Sequence, residues 1–139
     1  MGNKEVLEVA NYVWNDFPKV RLIPFWQVLG IIDRNQEKVV VIKDSSGIKG
    51  AAMFLTLTDE SLTRILLKEI NVFDEIDMQN LFKEDGDNIH FIFVLAENMK
   101  TVLKGLKKVI QDKNPYSVSW FNPELDFRLL KYRRNVCHQ

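Results

Sequence analysis

The sequence predicts a single α/β domain (α+β, mixed sheet), mostly antiparallel, with one parallel strand–helix–strand crossover and helices on both faces. Three observations carry that prediction. Two helical periodicities open the chain. Two strand-like runs follow, separated by a short Gly-containing turn. The stretch IHFIFVLAENMKTVLKGLKKVI (89–110) then passes from a near-continuous apolar segment straight into an amphipathic, lysine-rich one. A change of hydrophobic period from 3.6 to 2 and back marks each boundary.

The elements follow in order. In NKEVLEVANYVWNDF, Val6, Ala10, Val13 and Phe17 recur at helical spacing with Leu7 and Trp14 beside them; Asn3 is the expected N-cap and Pro18 the stop. A second helix opens at Pro24, whose fixed φ suits a first helical position, and carries Phe25, Val28, Leu29 and Ile32 on one face. KVVVIK, the turn DSSG and IKGAAMFLTLT read as an antiparallel hairpin, and the run of Val39, Val40, Val41 and Ile42, apolar on both faces, reads as a central strand. ESLTRILLKEI fits either a strand or a helix. DEIDMQNLFKEDGD reads as a short helix capped by Asp74 and ended by Gly86. NIHFIFVLA is the strongest strand and is expected at the centre of the sheet. The helix after it aligns Met99, Val102, Leu103, Leu106, Val109 and Ile110, and breaks at Asn114 and Pro115. YSVSWF, the turn NPEL and DFRLLKYRR form a closing hairpin.

The 139 residues suit one domain, expected over 1–139, with no linker, repeat or low-complexity tract. Hydrophobic residues make up 46% and charged residues 27%, and nine Phe, three Trp and three Tyr supply large core side chains. Nineteen basic residues balance nineteen acidic ones, which removes any global argument for nucleic acid or an anionic membrane. The only cysteine, Cys137, cannot form an internal disulfide. The N-terminus lacks a basic start followed by an apolar run, and Val6 stands where a myristoylation motif needs Ser or Thr. No apolar run approaches the ~20 residues of a membrane span. A cytoplasmic protein with no membrane partner is the expectation.

The order of elements, two helices, a hairpin, a helical insertion, a strand–helix–strand crossover and a final strand, resembles the core of the GNAT superfamily of acyl-CoA-dependent N-acyltransferases. VVVIKDSSGIKGAAMFLTLT is similar to that family's second and third strands, with Gly50 where a glycine commonly begins the third. The resemblance implies acetyl-CoA or another acyl-CoA as cofactor, no metal, and a small-molecule or protein amine as acceptor. It implies that backbone amides of Val94, Leu95 and Ala96 hold the acyl carbonyl and pantetheine arm. Those of Asn98, Met99, Lys100, Thr101 and Val102, with the Lys100 ammonium, would then meet the pyrophosphate at a helix N-terminus. The family's signature is Gln/Arg-x-x-Gly-x-Gly/Ala. With Val94 as the last strand residue, Met99, Val102 and Lys104 fall on the signature positions and none matches. Starting the frame at Val102 brings in Gly105 but leaves Val102 and Lys107 unmatched. NPEL is also too short for the family's last helix, so the Tyr that protonates the leaving thiolate has no counterpart. The abbreviated plan resembles small phage-associated proteins. The rival expectation is therefore a non-catalytic GNAT-fold interaction module of phage or mobile-element origin.

Two residues are candidates for chemistry. Glu97, at the C-terminal end of the expected central strand, sits where open α/β sheets place ligands and fits a general base toward an amine. Its plainer reading is a first-turn acid at a helix whose cap is Asn98. His90 inside the strand fits a base or substrate-orienting group, or else a hydrogen-bonded sheet residue. With His138 as the only other histidine, metal binding is not expected. Cys137 beside His138 lacks the ordered setting that a nucleophile needs. Lys100, Lys104, Lys107 and Lys108 read as a solvated face. Trp120, Phe121, Phe127 and Tyr132, interleaved with Arg128, Lys131, Arg133 and Arg134, suit either core and edge packing or stacking on single-stranded nucleic acid. An edge strand there also offers a surface to a second copy, so a homodimer is one expectation.

Overall fold

The computed structural model describes residues 1–16, 23–121 and 126–131. Among the described residues are five α-helices and five strands: α1 Asn3–Asp16, α2 Phe25–Arg34, β1 Val39–Asp44, β2 Gly47–Leu57, α3 Asp59–Leu66, α4 Glu75–Phe82, β3 Asn88–Ala96, α5 Met99–Lys113, β4 Ser117–Phe121 and β5 Phe127–Lys131. The strands form one mixed sheet in the order β1-β2-β3-β4-β5, with β3–β4 parallel and the other pairs antiparallel. The expected parallel crossover is therefore present, with α5 as its helix, and the apolar β3 is central. β1, by contrast, is an edge strand. Its apolar run is explained by cover rather than by a second neighbour, because α5 lies on it closely enough that a Cβ on Gly105 would stand 2.8 Å from the Ile42 side chain.

By contact density the chain divides into two compact units, one of residues 1–53 and 94–107 and one of residues 54–93 and 108–139, so β2, β3 and α5 each pass from one to the other. The first unit has its core in Val6, Val9, Ala10 and Val13 of α1, Val28, Ile31 and Ile32 of α2, Ala51, Ala52 and Met53 of β2, and Val102 and Leu106 of α5. Trp14 ties the two helices together, its indole N–H donating to the Ile23 carbonyl at 3.2 Å while its ring meets Phe25 edge-on. Asn3 begins α1 rather than preceding it, and the Gly2 carbonyl accepts the first bond, from Val6 N–H. Pro18, the expected stop, lies outside the described residues. The hairpin turn is tightened by the Asp44 carboxylate, which accepts from both the N–H and the hydroxyl of Ser46 at 2.7 Å. Gly47 follows at φ 118°, a conformation that side chains with a Cβ avoid.

In the second unit ESLTRILLKEI resolves to a helix because Thr58 caps it, accepting from Ser61 N–H at 3.2 Å. The reciprocal bond of a capping box comes from a distant residue. One Glu84 carboxylate oxygen accepts from the N–H and hydroxyl of Thr58, and the other accepts from Ser61 Oγ at 2.6 Å. Asp74 caps α4 as expected, but the helix stops at Phe82, short of Gly86. Gly86 serves close approach instead: its N–H donates to the Thr56 carbonyl, and any Cβ there would collide with the Leu57 backbone. Core side chains include Phe54, Leu57, Ile65, Leu81, Phe82, Ile89, Phe91, Ile92 and Val118. Asn88 is a buried amide with partners on both sides, donating to Leu57 O and Asp59 Oδ1 and accepting from Ser117 Oγ.

Candidate functional site

The residues expected to meet acyl-CoA all lie in the first unit, at the turn from β3 into α5. Gly50 sets how closely that turn packs. Its missing Cβ leaves room for the Val102 side chain, and a methyl there would also press on the Leu95 carbonyl. Val102 is thus buried core, as befits the inward face of α5, while Met99 is about half exposed. Val94, Leu95 and Ala96 are half-buried; Glu97, Asn98 and Lys100 are exposed.

Three of the donors at the turn have acceptors within the chain. Glu97 N–H donates to the Lys49 carbonyl, Thr101 N–H to the Asn98 carbonyl, and Lys100 N–H to Asn98 Oδ1 at 2.9 Å. Asn98 therefore forms the cap that its position predicts. The Glu97 carboxylate pairs with the Lys49 ammonium at 3.4 Å and remains largely exposed. Its charge reaches Tyr12 of α1, whose phenol is pushed above its ordinary range first by burial, then by Asp16 and Glu97. Gly105, the alternative signature glycine, is spent on packing against Val40 and Ile42. Lys100, Lys104, Lys107 and Lys108 are exposed along α5.

His90 lies in the second unit and is completely buried. The parallel register sets it opposite Ser119, whose Oγ lies 2.7 Å from His90 Nδ1. The ring stacks on Phe127 at 5.5 Å between centroids and meets Phe121 edge-on at 4.7 Å. His90 Nε2 has no hydrogen-bond partner among the described residues. Burial alone pushes the imidazole down to about 4, so it is neutral at physiological pH. Phe121 and Phe127 also line an open cavity of about 220 Å³ with Ile65, Ile70, Val72 and Phe73 and with the polar residues Lys68 and Asn71.

The structure thus groups the turn residues around Glu97 and places His90 in a separate cluster. Lys49, Ser119, Phe121 and Phe127 are the partners that motif reading did not connect to either candidate. Only strand register could have done so: Ser119 becomes the neighbour of His90 once β3 and β4 are aligned in parallel. Trp120, Arg128 and Lys131 are exposed on the closing hairpin, while Tyr132, Arg133, Arg134, Cys137 and His138 lie outside the described residues. Among the described residues no cluster of His, Cys, Asp and Glu could hold a metal ion, and no helix is long and apolar enough to cross a membrane. The chain matches no protein-family model and no curated protein sequence.

Proposed function

We propose that the chain is a degenerate relative of the GNAT N-acyltransferases, an interaction module that keeps the strand–turn–helix frame without using it to hold acyl-CoA. The single observation that carries this reading is the state of the turn. A pyrophosphate needs several N–H groups at a helix start pointing at it unpaired. Here those of Glu97, Lys100 and Thr101 have acceptors within the chain, and the Glu97 carboxylate adds negative charge beside them. Gly50 and Gly105 serve the packing of α5 and not the approach of a phosphate. Calorimetric titration with acetyl-CoA and coenzyme A is expected to give no heat, with no thermal shift at millimolar ligand. Saturable binding lost on Lys100→Ala would overturn the reading.

One feature favours a second reading, acyl transfer to an amine. Glu97 is a well-exposed carboxylate at the end of the central strand with the Lys49 ammonium beside it. In that reading the amine attacks the thioester directly while Glu97 takes its proton, and the coenzyme leaves as the thiol. Release of free thiol from acetyl-CoA or a longer acyl-CoA over a panel of amines, abolished in Glu97→Gln, would establish it.

A further inference from the structure

The open cavity of the second unit joins an apolar wall to two polar residues. The wall is formed by Ile65 of α3, by Val72 and Phe73 of the segment that follows, and by Phe121 and Phe127, which pair across β4 and β5. Lys68 and Asn71 line the same cavity and are exposed. Neither is fully engaged within the chain. Glu69, the acid next to Lys68, pairs with Arg64 at 3.7 Å, and among the described residues no carboxylate lies within ion-pair distance of Lys68. Asn71 Oδ1 accepts from Phe73 N–H at 3.0 Å, which leaves the side-chain NH₂ without an acceptor among the described residues. The backbone of Lys68 is a second, independent observation. Its φ is 61°, the left-handed region that favours glycine, at the point where α3 closes through Lys68 N–H to the Ile65 carbonyl and Glu69 N–H to the Arg64 carbonyl. Glycine would end the helix there without strain, so the lysine is held at a cost in backbone energy and brings an ammonium to the cavity in return. Strained non-glycine residues of this kind mark functional positions.

We infer that this cavity binds a small monocarboxylate with a compact apolar body, of the size of a substituted benzoate, whose carboxylate meets the Lys68 ammonium and the Asn71 amide. Size and chemistry each fix part of that class. A dry apolar cavity of about 150 Å³ accepts benzene, so about 220 Å³ holds one ring with small substituents. Isoleucine, valine and phenylalanine walls select an apolar body. A cation beside an amide donor selects an anion with acceptor oxygens. The Asp77 carboxylate, which accepts from Asn71 N–H at 3.3 Å, adds negative charge nearby and weighs against a dianion such as a phosphate monoester. None of these residues belongs to the turn after β3, so the inference stands apart from how that turn is read.

The test compares 4-methylbenzoate, 4-methylbenzamide and 4-methylbenzylamine, which share one ring and carry an anionic, a neutral and a cationic head at pH 7. Calorimetry and ligand-observed NMR on the full chain at low salt are expected to show the benzoate binding about five-fold more tightly than the benzamide, the effect of one solvent-exposed ion pair. The benzylamine should bind weakest. Added salt should narrow the gap between benzoate and benzamide. Lys68→Gln should bind those two equally. Lys68→Gly suits the left-handed backbone, so it should fold at least as stably as the native chain and lose the same preference. On the native sequence, the benzoate should move the methyl resonances of Ile65 and Val72 and leave those of Val6 and Val9 in α1 in place. Absence of binding at millimolar benzoate, equal binding of benzoate and benzamide, a preference kept in Lys68→Gly, or shifts confined to other methyls overturns the proposal.

Discussion

Protonating His90 is expected to destabilise the protein, and the size of the effect can be worked from its surroundings. In the folded chain burial holds the imidazole near 4, whereas an exposed histidine titrates near 6.5. The folded pKa is the lower one, so the unfolded chain binds the proton first as pH falls. Stability from keeping this ring neutral is fully present above pH 6.5 and is lost progressively down to pH 4. Linkage over that window gives about 2 kcal/mol lost by pH 5 and about 3 kcal/mol by pH 4. Among the described residues no carboxylate compensates the ring: desolvation is the cause of the shift and its contacts are Ser119, Phe121 and Phe127.

The assay is urea denaturation of the native sequence and His90→Phe at pH 7 and pH 5, followed by tryptophan fluorescence. Carboxylate protonation affects both proteins alike, so the difference between them isolates the histidine. That difference should move by about 2 kcal/mol in favour of the variant on going to pH 5. An unchanged difference would mean that His90 is solvated or paired in the folded state, and the buried-neutral reasoning would fail with it.

Gly86→Ala is expected to cost about 3 kcal/mol in thermal or urea unfolding, since the new methyl meets the backbone of Leu57, which cannot rotate away. Gly50→Ala should destabilise less, about 1–2 kcal/mol, because its main obstacle is the Val102 side chain, and Val102→Ala in the same chain should recover part of the loss. Glu84→Ala should cost about 2 kcal/mol by unbonding Thr58 and Ser61 at the start of α3, with Glu84→Gln recovering part of it. Fluorescence polarisation with single-stranded oligonucleotides at low salt is expected to show no binding, since Phe121 and Phe127 pack against His90 and are not free to stack on bases; salt-dependent binding would count against that assignment.

Elements with a strong local signature were legible in the sequence. The apolar run of NIHFIFVLA, followed by a clean helical stripe, already specified a central strand and a crossover. Asp74 is a cap residue whose chemistry acts within three positions, so its helix was read from neighbours alone, whereas the stretch after Thr58 was left open between strand and helix until the cap was seen. The misreadings share one cause. β1 looks central because apolar content reports total cover, and a helix on one face can supply what a second strand would. Gly86 looks like a helix stop because glycine marks both helix ends and close approaches, and only the position of Leu57 in space distinguishes the two.

The candidate sites divide along the same line. Glu97 and Asn98 were identified from their place after a strand, and Asn98 caps the helix through a bond two residues along. His90 was visible as a residue but not as part of a cluster. Its meaning rests on Ser119, Phe121 and Phe127, which lie 29, 31 and 37 positions later in the chain. A parallel pairing places the first of these beside it, and an antiparallel hairpin then returns the last to the same face. Sequence spacing carries no trace of such a cluster, because each strand contributes one or two residues and the intervening helix can vary in length without moving them. A buried histidine with one nitrogen bonded and the other without a partner among the described residues is therefore a property of register, and register is what the structure adds. The same reasoning explains why the turn at 96–102, the more family-like feature, is the weaker candidate. Its place after a central strand suggested a phosphate site although its residues did not match the signature, and its hydrogen bonds show a helix start whose donors at Lys100 and Thr101 are already bonded.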